Sequence, residues 1–284
     1  MSRRAARAQR TLGQRALLVL RYVGLVAAAF VVLFPIYVTV VNSLLPLDGI
    51  LGRPPKLFPT DPQWSNYSEA FTNGRLGRYL VNSTIVTTII MVGQVGTSIC
   101  AGYAFAVLRF PFKSTLFIAF LATMMLPIEV TLVANFQTIQ TLGWQDTYQA
   151  MAAPFLAVGF GTFLMRQAFL SVPRDLRDAA ALDGYGHFRF MTRVAVPLVR
   201  PSVAALAVFS FLLAWNQYLW PLLVADNEDI RTVQIGLRTL KGEGAAGLDV
   251  LFAGTVIAAI PIFVLLIVFQ KQLVRGLTSG AVKG

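Results

Sequence analysis

The sequence predicts an all-α protein of six transmembrane helices, with a short cytoplasmic helix between the fourth and the fifth. Hydrophobic residues make up 56% of the 284, and mean hydropathy is +0.65, beyond the range of soluble domains. The apolar residues gather into long runs, and a chain of this length holds about six spans of roughly 20 residues with their loops. The 24 basic residues are then shared unequally between the two faces those spans define. These observations also narrow the function. The lone Cys100 sits in an apolar run and forms no internal disulfide, and the lone His187 leaves no metal cluster to propose.

Residues 1–15 carry Arg3, Arg4, Arg7, Arg10 and Arg15 without an acid, a basic tail ahead of a first span over 16–45. That apolar run is too long for a signal peptide, so it reads as an uncleaved span. Residues 46–78 form a loop, since Pro46, Pro54, Pro55, Pro59 and Pro62 forbid a long helix, and Trp64, Tyr67 and Phe71 mark a short interfacial segment. The second span covers 79–108, where Gly93, Gly96, Ser98 and Gly102 permit close helix contact. A turn at Pro111, flanked by Arg109 and Lys113, leads to a third span over 114–137. A polar hinge at 141–148 precedes a fourth span ending near Phe169. The fifth begins at Pro201, a favoured first helical residue, and runs to 224; the sixth covers 248–269 after a polar, glycine-rich loop.

Six spans put both termini on one side. Only Arg53, Lys56, Arg75, Arg78, Arg231, Arg238 and Lys241 fall on the opposite face, which also holds nearly all the acids except Asp175, Asp178 and Asp183. This is the positive-inside pattern, so both termini and residues 171–200 are expected in the cytoplasm. The formal net charge of +11 thus reflects membrane orientation, and nucleic acid is not an expected partner.

Between the fourth and fifth spans lies Asp178-Ala-Ala-Ala-Leu-Asp183-Gly184, followed nine residues later by Val194-Ala-Val196-Pro197. A run of helix formers ending at a glycine, then a short amphipathic run ending at a proline, reads as helix, tight turn, helix. Leu182, Phe188, Phe190 and Met191 are its candidate apolar anchors. The order resembles the Glu-Ala-Ala loop of ABC importer permeases, with Ala179, Ala180, Gly184 and Pro197 in register and Asp178, Val194 and Val196 as conservative departures. Further stretches, Met125-Leu-Pro127-Ile-Glu129, Phe163-Leu-Met-Arg166, Trp215-Asn-Gln-Tyr-Leu-Trp-Pro221 and Val274-Arg-Gly-Leu277, are similar to the second permease subunit of the carbohydrate-uptake class, and within it to members that import glycerol-3-phosphate.

That resemblance implies a permease domain over 16–277 with a C-terminal tail at 278–284, its loop 171–200 forming a coupling helix that docks in a cleft of a separate ATPase subunit. Asp178, Ala179, Ala180, Asp183, Gly184 and Pro197 would carry coupling, not catalysis. It further implies a second permease, two ATPase subunits and an extracytoplasmic binding protein as partners. The chain has no phosphate-binding loop, so no cofactor is expected on it; ATP and magnesium belong to the partner ATPases.

Polar residues inside spans mark a candidate substrate path. Glu129, just after the span-breaking Pro127, either faces such a path or pairs with a neighbouring span. Trp215, Asn216, Gln217 and Tyr218 offer a polyol flat apolar faces and amide groups, although the tryptophans also suit interfacial anchoring and the amides interhelical hydrogen bonding. Asn42, Asn82, Gln94 and Asn135 are weaker candidates. By a straight-helix count, Glu129 and Asn216 lie at equal depth and face one cavity. No Arg or Lys lies deep in a span, so an anionic phosphate ester would need its base from the partner permease or its selection from the binding protein. A neutral sugar or a zwitterionic glycerophosphodiester therefore stays open. A secondary transporter would need more coupling acids or an inverted repeat, and a membrane enzyme a polar catalytic cluster; neither is present in the sequence.

Overall fold

A computed structural model describes residues 12–242 and 244–278, so most of both expected tails lies outside the described residues. The described chain is helical without strands, in the order α1 (Leu12–Asn42), α2 (Leu47–Leu51), α3 (Ser65–Phe71), α4 (Leu76–Val107), α5 (Lys113–Ala122), α6 (Ile128–Thr141), α7 (Tyr148–Ala152), α8 (Gly159–Leu170), α9 (Arg174–Leu182), α10 (His187–Phe190), α11 (Val196–Leu198), α12 (Arg200–Trp215), α13 (Leu219–Val224), α14 (Val233–Leu240) and α15 (Leu248–Thr278). Helix α1 begins inside the expected basic tail. Three stretches are single helices long and apolar enough to cross a membrane: Leu17–Asn42, Leu76–Val107 and Leu248–Gln272. Up to three more crossings arise if bent helix pairs each count as one span.

Helix α4 is the spine. It lacks proline, and its 32 residues extend about 48 Å, more than a bilayer's hydrocarbon core. It packs on α8 and α12, and α12 in turn packs on α15. Lipid tails are as apolar as leucine, so this packing depends on close fit and hydrogen bonds more than on expelling water. A Cβ on Gly102 would stand 2.6 Å from the Met165 Cβ and 2.8 Å from the Arg166 amide nitrogen of α8. The expected small-residue contact is thus made at Gly102, at Gly93 against Leu156, and at Ser98 against Gly161, whereas Gly96 faces open space. Helix α1 is apolar all round and buried on no side over its most hydropathic stretch, a surface suited to lipid or another span.

The third, fourth and fifth expected spans are not continuous helices. The third bends by more than 40° where Leu126 and Pro127 interrupt it, between a 3₁₀ turn at Thr123–Met125 and α6. The fourth bends by 51° after a 3₁₀ turn that contains Pro154. Its freed carbonyls are met by α4: Gln94 Nε2 donates to Phe155 O at 2.8 Å and Thr97 Oγ1 to Leu156 O at 2.9 Å. Gln94 is therefore a bracket for a broken helix, as interior backbone in a membrane requires. Asn82 is likewise structural: fully buried, it donates to Asp229 O and Arg231 O and accepts from Tyr148 Oη at 2.8 Å.

The close crossing of α4 and α8 sets a test. Gly102→Ala should cost about 1–3 kcal/mol through overpacking and lower the thermal midpoint of the purified chain, while Gly96→Ala leaves it unchanged. Equal midpoints for the two variants would contradict the crossing.

Candidate functional site

The segment between α8 and α12 forms by local rules. Helix α9 ends in a Schellman motif: Gly184 takes φ +76°, its N–H donates to Ala181 O at 3.0 Å, and the Tyr185 N–H reaches back to Ala180 O at 2.9 Å. A second helical stretch follows, α10 to α11, with a π turn at Met191–Ala195. That wide turn lies just ahead of Pro197, which has no N–H for the carbonyl one turn back. At Val199 the chain turns by 83° into α12.

One face of this segment is part of the span core. Ala180, Phe190, Met191 and Ala195 are buried together with Tyr103 of α4, Met165 and Phe169 of α8 and Leu206 of α12. The Tyr103 ring meets Phe169 edge-on at 5.6 Å and Phe190 at 6.4 Å, and its hydroxyl lies 3.1 Å from His187 Nδ1. Aromatic pairs of this kind add about 0.5–1.5 kcal/mol each beyond area burial. The other face is open. Asp178, Ala179, Asp183 and Gly184 are exposed, with Leu182 91% and Phe188 76% accessible.

Two of the four expected anchors therefore point outward. Phe190 and Met191 belong to the chain's own core, which corrects their reading as docking groups. Ala180 is corrected as well, since it is small to pack inward, and only Ala179 of that pair is exposed. Asp178 Oδ1 lies 3.6 Å from Arg177 Nε, and Pro197 is half-buried.

At the far end of α12 the polar cluster Asn216-Gln217-Tyr218 is a break between α12 and α13, not the middle of a span. Pro221 lacks the N–H that would continue the helix back to Gln217. Trp215 is not a path residue in this structure: it is 2% exposed, stacks on Phe211 at 5.4 Å, and donates from Nε1 to Ala258 O at 3.2 Å. Trp220 is buried and donates to Ala150 O, so neither tryptophan is an interfacial anchor. Asn216 is exposed; its amide caps Leu212 O at 2.8 Å, and its Oδ1 accepts from Gln234 Nε2 at 3.4 Å. Gln217 Oε1 is buried without a hydrogen-bond partner among the described residues.

Tyr218 opens onto a cavity of about 350 Å³ shared with Gln234, Arg238 and Lys241. Arg238 is carried by the last turn of α14 and Lys241 caps its C-terminus, inside a stretch that reads as a polar loop. Its signal was the i, i+4, i+7 spacing of Val233, Leu237 and Leu240, an apolar helical stripe, with Gly236 small enough to admit the Tyr79 ring. Glu129 does not line this cavity. It sits exposed in the first turn of α6, without an ion pair among the described residues, where a carboxylate favours the helix dipole. Because the chain bends just before Glu129, the straight-helix count of equal depth with Asn216 does not apply.

Residues 96–279 match the family described as "Binding-protein-dependent transport system inner membrane component". The chain is 35% identical over 270 residues to the sn-glycerol-3-phosphate transport system permease protein UgpE of Agrobacterium fabrum, covering 92% of this chain and 96% of the relative. It is 36% identical to the protein of the same name from Brucella abortus strain 2308, covering 90% and 94%. For that of Pectobacterium atrosepticum the identity is 32%, covering 94% and 98%. In fold it is similar to a bacterial ABC transporter that imports the acidic polysaccharide alginate, with TM-score 0.81 at 21% identity, covering 92% of this chain and 98% of that one. A family match spanning most of the chain, and relatives matched almost end to end, make one assignment: the chain belongs to the binding-protein-dependent transport system inner membrane components, the permease subunits of ABC importers.

Proposed function

We propose that this permease carries sn-glycerol-3-phosphate, or a related glycerophosphodiester, across the cytoplasmic membrane of a bacterium. It would do so as six spans with both termini in the cytoplasm, paired with a second permease, two ATPase subunits and an extracytoplasmic binding protein. ATP and magnesium reside on the ATPases, and this chain is a non-catalytic transport subunit. The names of the relatives support the substrate. A solved structure of similar fold, TM-score 0.66, contains an alginate ABC transporter with its ligand-bound periplasmic protein, which supports the kind of assembly.

The observation that carries the mechanism is the two-faced segment 171–200. Its outer face presents Leu182 and Phe188 beside Asp178 and Gly184, a small apolar knob with a polar rim that fits a cleft on an ATPase. Its inner face is shared core with α4, α8 and α12. Closure of the ATPase pair on ATP then moves the spans with the segment, which is alternating access by rigid-body motion.

The cavity at Tyr218 supports an anionic substrate. Arg238 and Lys241 supply the base that the spans lack, and Gln234 and the Tyr218 hydroxyl supply neutral hydrogen-bonding groups for the glycerol part. Arg238→Gln with Lys241→Gln should therefore slow glycerol-3-phosphate uptake roughly tenfold at saturating binding protein, from the loss of charge-assisted hydrogen bonds. Unchanged uptake in the double variant would remove the cavity from the path.

Gly184 tests the segment. Its Cβ position is open, so Gly184→Val meets no clash, but φ +76° imposes about 1–3 kcal/mol of strain on a β-branched residue and unseats the Schellman turn. Uptake should fall to background at normal membrane levels. Gly186→Val, at an ordinary φ of −73° with equal room, should transport well. Wild-type uptake by Gly184→Val contradicts the assignment.

A further inference from the structure

A second cavity, of about 250 Å³, lies where the end of α4, the turn into α5 and the link from α8 to α9 converge. Arg109, Lys113, Arg174 and Arg177 all contribute to its wall and no acidic residue does; Leu170 and Val172 supply part of an apolar side. It far exceeds the roughly 10–15 Å³ that holds one water. Lys113 is held in place without being neutralised. Lys113 Nζ donates to the carbonyls of Leu108 at 2.8 Å and Ala106 at 3.3 Å, which carry no full charge. Arg177 has Asp178 at 3.6 Å in a partly exposed pair, and no other ion pair reaches the four among the described residues. Arg166 adds a further cation nearby, lying 4.3 Å above the Phe117 ring beside a neighbouring space that Lys113 also lines.

The geometry points to this cavity as a binding site for the phosphate of an anionic phospholipid headgroup, drawn from the leaflet that the segment 171–200 faces. Guanidinium forks match phosphate oxygens in pairs, and converging like charges favour an anion between them. The apolar side, at the level where the membrane-crossing stretch Leu76–Val107 ends, suits a ligand whose other end is an acyl chain. Basic pockets between helices at the cytoplasmic boundary bind such headgroups. A lipid seated there touches the α4–α5 turn and the start of α9 together, so it braces the joint between spans and segment. The inference rests on the cytoplasmic placement of that face proposed above, but its test reads lipid binding and not transport.

The assembled transporter in nanodiscs is titrated with phosphatidylglycerol against a phosphatidylcholine background, and lipid retention is counted by native mass spectrometry. Arg109→Gln with Arg174→Gln should weaken phosphatidylglycerol binding about thirty-fold, whereas Arg109→Lys with Arg174→Lys retains most of it. A correctly folded Gln variant, judged by its thermal midpoint in phosphatidylcholine, that retains as much phosphatidylglycerol as wild type would overturn the site. Inorganic phosphate added to phosphatidylcholine nanodiscs is the second arm. If it raises the wild-type midpoint as much as phosphatidylglycerol does, the ligand is a free anion and the lipid assignment fails. If uptake is absent in every lipid while the Gln variant still loses phosphatidylglycerol, the transport reading fails and the lipid site stands.

Discussion

The packing of Tyr103 between Phe169, met edge-on, and the tilted ring of Phe190 is the joint on which the rest of the molecule depends. A segment that merely lay on the surface of the spans would rotate when pushed, and the push would stop there. Here the segment contributes Ala180, Phe190, Met191 and Ala195 to the core that holds α4, α8 and α12 together. Packed interiors are stiff and respond in discrete steps, so displacement of the outer face reaches three long elements at once. The turn at Gly184 ends α9 and leads into α10 through residues 183–186, so one short segment carries both a buried and an exposed face.

The opposite end depends on a different device. Broken helices leave backbone groups without partners, and nothing in a bilayer core replaces them. Helix α4 supplies the partners from one continuous rod: Gln94 and Thr97 to the break before α8, Asn82 and Ser83 to the stretch leading into α14. Interhelical hydrogen bonds average about 0.6 kcal/mol in membranes, so their value lies in placement more than in strength. By holding residues 229–233 against α4, they set α14 where Arg238 and Lys241 share a cavity with Tyr218.

Much of this was legible in the sequence, and the rest failed for identifiable reasons. The second span was found to within three residues at its start because no proline interrupts it. The left-handed turn at Gly184 was legible because glycine after a run of helix formers has few other uses. The break in the third span was legible at Pro127. Continuous fourth and fifth spans were expected where the chain breaks, since hydropathy is blind to a bend, such as that before α8, which polar side chains on a neighbouring helix stabilise. Trp215 was read as a path residue because its sequence neighbours are polar, yet it closes the core while Asn216 faces out. Phe190 and Phe188, two residues apart, fell on opposite sides for the same reason: composition names an anchor but not its direction. Arg238 and Lys241 were overlooked because α14 is short and followed by Gly242, Gly244 and Gly247, so the loop signal outweighed the apolar stripe.

The central claim is that segment 171–200 and the spans move as one body. In a Cys100→Ser background, spin labels at Leu182 and at Phe163 of α8 report the distance across the joint, and a label pair from Leu182 to the partner permease reports motion between subunits. Pulsed electron–electron resonance on the assembled transporter, with and without ATP trapping, should leave the Leu182–Phe163 distance distribution unchanged while the intersubunit distribution shifts. A shift in the Leu182–Phe163 distance on trapping, with the intersubunit distance fixed, would contradict the account.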